Sequence, residues 1–311
     1  MFFKLNLLKH VSKKSKTIVE TAITEVKDFG YLCQKLEKNF SINGKGKSTL
    51  RNYQRCLAHL ALHYKISPEK LDKEQIDDYL YYCQNLHKTP SESFFKHTIY
   101  GLRASYKVLG MESMKLHLPK IAAQKDLPVV LNKTEVKQLI SAPKYLKHRL
   151  IIGMLYGCGL RSYELCNLKL ADIDFERNTV FIKKQKGKKD RYVPLGKHLK
   201  RGLQRYIKSE HPEEWLFNSQ VTKEGKLQGI TARAVQWVIK ENRSKVETEK
   251  KITAHTLRHT YATHLLEDGI NFLSLMELMG HQRIETTLIY LHVANIGSSK
   301  KFSPIDTLYS E

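Results

Sequence analysis

The chain of 311 residues carries 53 lysines and arginines against 31 aspartates and glutamates, a formal charge of +22 at neutral pH. An excess of that size is usually matched by a polyanion, most often nucleic acid, because neutralising phosphates releases condensed counterions; residues 1–125 and the remainder share it evenly, which disfavours a basic protein with no such partner. Five cysteines, odd in number and without CxxC spacing, argue against a disulfide framework or a zinc ribbon, and no stretch approaches the roughly 20 apolar residues of a membrane span.

The length suggests about two domains. The N-terminal MFFKLNLLKHVSKKSK scatters basic residues through its apolar ones and holds no continuous run of signal-peptide length. The expected location is therefore cytoplasmic, in a reducing compartment, with nucleoid association when DNA is bound. Residues 1–30 read as a basic extension suited to accessory DNA contacts. In TLRNYQRCLAHLALHY and EQIDDYLYYCQNL apolar residues recur at helical spacing, with Ser48 and Ser67-Pro68 as starts, and predict an all-helical domain over 31–117.

Within that domain Gly44-Lys45-Gly46-Lys47-Ser48-Thr49 imitates a phosphate loop. A Walker motif needs a glycine where Ser41 stands and a hydrophobic strand before it, so the segment reads instead as a solvated basic loop ending in a helix cap. Lys45, Lys47, Arg51 and Arg55 are the DNA contacts expected there.

Pro119 and Pro128, with no clear periodicity around them, mark a linker over 118–130 and a boundary near residue 125. NKTEVKQLISA, RLIIGMLYGCGL and SYELCNLKL then predict helices. TVFIKKQ and RYVPL, short β-branched or aromatic runs flanking KGKKD, predict a hairpin with a basic turn, in which Lys188, Lys189 and Arg191 are further expected DNA contacts. Helical patterns return in ITARAVQWVIKEN, in AHTLRHTYATHLL up to Gly269, in INFLSLMELM up to Gly280, and in TTLIYLHV, for which Thr286 is the expected cap. The fold class expected is mainly α with a small antiparallel β-sheet, the second domain being α+β.

The chemistry concentrates late in the chain. His255 and Arg258 stand three apart on a predicted helix and so share a face, while Leu257, Tyr261 and Leu265 form its buried stripe. Gly280 can end a helix in the left-handed conformation, leaving His281 at the bend, and Tyr290 follows on the next helix. Arginine presents a rigid fork that matches phosphate oxygens, imidazole exchanges protons near neutrality, and a tyrosine hydroxyl can form an ester with phosphorus. Together they are the equipment for attacking a phosphodiester. His255 and His259 also have H-x3-H spacing, but without paired cysteines or a third clustered ligand zinc is the weaker reading.

These residues resemble the tyrosine recombinases, the integrases of the phage lambda, Xer and integron type. The resemblance runs from about Lys35 to the C-terminus and rests on GLRSYEL with Arg161 and Glu164, the lysine of KGKKDRYVPL, HTLRHTYATHL with His255 and Arg258, and MGHQRIETTLIYLHV with His281 and Tyr290. Ala254 stands where proline often precedes the histidine, and Met279 where leucine commonly precedes the glycine; neither touches the chemistry.

The resemblance implies a two-domain clamp around double-stranded DNA: a SAM-like core-binding domain over 31–117, a catalytic domain over 131–294 and a tail over 295–311. It implies that Tyr290 attacks phosphorus, giving a 3′-phosphotyrosyl protein and a free 5′-hydroxyl, with neither metal, ATP nor small-molecule cofactor. Arg161 and Arg258 would clamp the phosphate, Lys186 in the K-G turn would protonate the leaving oxygen, His255 would accept a proton or bind phosphate, and His281 would donate to the phosphate. Glu164 would orient Arg161 or His255. A homo-tetramer on two DNA sites, with room for a heteromeric partner recombinase, would exchange strands through a Holliday junction. Ile305, Leu308 and Tyr309 in the tail suit docking, in cis or onto a neighbouring subunit. The rival readings are a type IB topoisomerase-like relaxing enzyme and a noncatalytic DNA-binding relative.

Overall fold

A computed structural model describes residues 16–86, 92–111, 113–114, 118–119, 127–183, 190–223 and 226–294. Lys186, Lys188 and Lys189, the tail over 295–311 and the first 15 residues lie outside them. The chain forms two compact units, Met1–Gln124 and Lys125–Glu311.

The first unit is helical: α1 (Ile18–Glu25), α2 (Phe29–Ile42), α3 (Lys47–Tyr64), α4 (Lys73–Tyr81) and α5 (Glu92–Leu109). Reciprocal capping boxes start α1 at Thr17 with Glu20 and α4 at Asp72 with Gln75, each satisfying backbone donors that the first turn leaves free. Leu32 and Leu36 of α2, Leu57 and Leu60 of α3, and Ile99 and Leu102 of α5 are fully buried against one another. The core begins earlier than the expected boundary at residue 31, because Ala22, Val26 and Phe29 are buried in it; Leu118, expected to open the linker, is buried there too. Ser48 sits inside α3, whose N-cap is Gly46, rather than starting it.

The second unit is built on α7 (Leu146–Gly157), a helix buried over Leu150–Leu155 and packed against α6 (Lys133–Ser141), α8 (Ser162–Cys166), α9 (Lys197–Glu210), α10 (Ala232–Arg243) and α11 (Ala254–Glu267). The expected hairpin is present as β2 (Thr179–Ile182) and β3 (Arg191–Pro194), antiparallel with Val180 opposite Val193, and β1 (Ile173–Asp174) extends it on the β2 side. A second two-stranded sheet, β4 (Asn218–Lys223) with β5 (Lys226–Gly229), is an element the sequence pattern does not signal. α12 (Phe272–Met279) and α13 (Glu285–Leu291) complete the unit, both packing on α11. Ile284, not Thr286, is the N-cap of α13; Thr286 lies one residue inside it and is exposed. The molecule is therefore mainly α with small antiparallel sheets.

Candidate active site

α11 is unusual for a soluble helix in burying polar residues along most of its length: Thr256, Arg258, Thr260, Thr263 and His264 are all enclosed. Buried polar groups need partners, and those of Arg258 define the site. Its Nη1 donates to the Gly159 carbonyl and its Nη2 to the Met279 carbonyl, while Nη2 lies 3.3 Å from His281 Nε2 and Nη1 3.8 Å from Glu164 Oε2. Burial and the neighbouring Arg161 push the Arg258 guanidinium down to about 9, which still leaves it charged at neutral pH.

Gly159 offers its carbonyl from a left-handed turn, φ +58°, where a Cβ would come 2.3 Å from the Tyr261 ring. Only glycine fits there, so the junction between α7 and α8 is shaped for Arg258 on one side and for Arg161, the N-cap of α8, on the other.

Glu164 gathers three guanidiniums. Its carboxylate accepts from Arg161 Nη1 at 2.8 Å and from the Arg161 backbone N–H at 2.9 Å, and receives the Arg191 fork in bidentate fashion at 2.8 and 3.0 Å. Burial alone would raise the Glu164 pKa; the Arg191 hydrogen bonds and charge, with Arg161 and Arg258, overcome it and bring it down to about 2. The Glu164 carboxylate is thus taken up by Arg161 and Arg191, with Arg258 3.8 Å away.

Arg191 departs from expectation. It stands among the DNA contacts expected from the sequence, yet its side chain is only 9% exposed, its fork is taken up by Glu164, and its Nε donates to the Leu278 carbonyl at 2.8 Å. It ties strand β3 to α8 and α12. A guanidinium committed in this way is a structural tie, with little left for phosphate.

His281 stands just beyond Gly280, which ends α12 in the left-handed conformation, φ +59°, as its sequence position predicts. His281 Nδ1 lies 2.9 Å from Thr287 Oγ1. Because Arg258 can only donate to Nε2, the hydrogen-bond partners assign the proton to Nδ1. The Tyr290 ring lies nearly parallel to that of His281, centroids 6.2 Å apart, and packs among Tyr261, Leu275 and Met279.

Tyr290 is 2% exposed, and burial raises its pKa above the usual phenol value against the opposing charges of Arg258 and Arg161. Its hydroxyl is 3.1 Å from His259 Nδ1. The sequence pattern gives His259 no role beyond the rejected zinc spacing. His255, the expected proton acceptor, is exposed, its ring centroid 6.4 Å from that of His259. The signal available is the immediate neighbourhood of His259 to Arg258, but a contact spanning 31 residues depends on how α13 docks on α11.

Arg161, Glu164, Arg258, His281 and Tyr290 are thus brought together, with His255 at the edge. Among the described residues no group of three or more His, Cys, Asp or Glu is placed to hold a metal ion, and no helix is long and apolar enough to cross a membrane. In the first unit Lys45, Lys47, Arg51 and Arg55 are exposed, the last three spaced four apart along α3.

The phage integrase family model matches residues 129–295. The chain is 32% identical to a tyrosine recombinase of Pseudothermotoga lettingae over 98% of this chain and 96% of that protein. It is 34% identical to the tyrosine recombinase XerA of Pyrococcus horikoshii over 81% of this chain and 85% of that protein. A lambda integrase tetramer bound to a Holliday junction has a similar fold, with TM-score 0.65 and 17% identity over 93% of this chain and 84% of that one. The Tn1549 transposon integrase in complex with circular intermediate DNA is similar at TM-score 0.64 and 21% identity, covering 83% and 94%.

Proposed function

The chain belongs to the phage integrase family, and from that premise we propose that it is a site-specific DNA recombinase whose nucleophile is Tyr290. The observation that carries this reading is the buried phenol of Tyr290 packed beside His281 and Arg258, with Arg161 held at the same site by Glu164. Three guanidiniums share one carboxylate there, so a net positive charge awaits a phosphodiester.

Arg161 and Arg258 stabilise the charge that develops on the nonbridging oxygens as phosphorus becomes pentacoordinate; a preorganised donor of this kind is worth ~10²–10³ in rate. The phosphotyrosyl ester conserves the bond energy, so religation needs no nucleotide. Lys186, carried between β2 and β3, protonates the leaving 5′ oxygen. His281, once a phosphate replaces it as partner of Arg258, is free to contact that phosphate, and His255 lies at the rim as a second phosphate ligand.

Lys47, Arg51 and Arg55 form a row on α3 that suits a phosphate backbone, with Lys45 beside them; Lys188 and Lys189 of the KGKKD segment are proposed as further DNA contacts. Recombination joins two duplexes, so the assembly expected is a homo-tetramer, or a heteromer with a partner recombinase, on two sites exchanging strands through a Holliday junction. The place of work is DNA in the cytoplasm.

A nicked duplex that loses its short 5′-hydroxyl fragment after cleavage tests this directly. The wild-type chain accumulates a covalent protein–DNA adduct, whereas Tyr290→Phe binds the same DNA and forms none. An undiminished adduct in Tyr290→Phe removes Tyr290 from the chemistry.

A further inference from the structure

We infer that His259, rather than His255, accepts the proton of the Tyr290 hydroxyl in the cleavage step and returns it on religation. The inference rests on the reading of Tyr290 as nucleophile and deepens it. Its first support is contact: Nδ1 of His259 lies 3.1 Å from the phenolic oxygen, within the reach required of a general base. Its second is enclosure. The phenol is 2% exposed, so bulk water has little access to its proton, and the partly buried His259 imidazole is the group facing it.

The groups around His259 fit the role. Burial, with His255 and Arg258 on the same helix, lowers its pKa below the ordinary imidazole value, so it is a neutral acceptor at pH 7. From α13 it meets the phenol, whose own pKa is raised by burial although Arg258 and Arg161 oppose this. A phenol held above its usual pKa is a poor nucleophile without a base. His281 lies nearly parallel to the Tyr290 ring and is occupied by Arg258 and Thr287.

In cleavage the Tyr290 Oη–P bond forms as the phenol proton passes to His259 Nδ1, and the P–O5′ bond breaks with its electron pair leaving on O5′, which takes a proton from the general acid. On religation the 5′-hydroxyl attacks phosphorus and forms the P–O5′ bond as its proton returns to the conjugate base of that general acid, the Oη–P bond breaks, and His259 gives its proton back to the phenolate.

The test is single-turnover cleavage of the nicked duplex at saturating DNA between about pH 5 and pH 8, where an imidazole titrates. A substrate with sulfur replacing the bridging 5′ oxygen removes the need for a general acid, since a thiolate leaves unprotonated. His259→Asn places an amide oxygen near the position of Nδ1, so it can still accept the phenol hydrogen bond but cannot take the proton. The expected result is cleavage ~10²–10⁴ slower with either substrate, DNA binding and thermal unfolding unchanged, and the fall in rate towards acid pH abolished. His255→Gln keeps that acid fall.

Wild-type rates from His259→Asn, a slower rate that keeps the acid fall, or loss of the acid fall in His255→Gln instead would each overturn the assignment. On the wild-type chain, cleavage of the sulfur substrate is slower in heavy water, because the phenol proton is the one in flight. Absence of that isotope effect overturns the inference without any substitution. Failure of Tyr290→Phe to lose the adduct is a separate outcome and strikes the underlying reading.

Discussion

Three guanidiniums crowd the Glu164 carboxylate, and their mutual repulsion would drive them apart without it. Its folded pKa of about 2 against an ordinary value of 4.5 corresponds to about 3 kcal/mol of linkage. Because the folded value is the lower one, the contribution is complete above about pH 4.5 and is lost as pH falls through about 2. Glu164→Gln should therefore lower the urea midpoint at pH 7 and flatten the acid limb of stability below pH 4.5, and it should also slow cleavage by loosening Arg161. An unchanged midpoint would show that the arginines are held by other means. At this scale the sequence is legible where chemistry depends on residue type at short spacing: Arg258 with His255, and Gly280 with His281. His259 and Arg191 are not, because the partner of each lies far along the chain, Tyr290 for one and Glu164 for the other.

Strands β2 and β3 are announced by β-branched and aromatic residues around a lysine-rich turn, so the hairpin is readable in advance. β4 and β5 are not. Asn218–Lys223 and Lys226–Gly229 are almost wholly polar, and they pair without the hydrophobic alternation that marks a strand in a sequence. The start of α13 differs from expectation for a related reason: Thr286 has a capping side chain, but the backbone already turns helical at Ile284, φ −59° and ψ −36°. Within the hairpin Arg191, which pairs with Ile182 next to the turn, ties β3 to Glu164 and Leu278. Lys186→Ala is expected to slow cleavage of ordinary DNA by ~10²–10⁴, the usual worth of a general acid, and to be rescued by sulfur at the bridging 5′ position. If Lys183 or Lys188 were the acid, the rescue would follow their substitution instead.

For the whole molecule the charge of +22 sets the terms of association. The excess is spread over both units, and the exposed Lys47, Arg51 and Arg55 of α3 offer one row of it. If each meets a phosphate, replacing all three by glutamine lowers the slope of log affinity against log salt by about 0.9 for every phosphate left unneutralised, with little change in the rate of cleavage once DNA is saturating. An unaltered slope would place the DNA elsewhere on the first unit. Composition makes the polyanion legible, and the spacing of the late motifs makes the phosphodiester chemistry legible; which lysines meet DNA is not, because exposure leaves a basic residue equally suited to solvent and to phosphate. The measurement that bears most directly on the nucleophile is proteolysis of the trapped adduct followed by mass spectrometry. The nucleotide should be found on the peptide containing Tyr290, joined through a 3′-phosphate, with a 5′-hydroxyl on the released fragment. A nucleotide on any other residue, or one joined through a 5′-phosphate, would contradict the assignment.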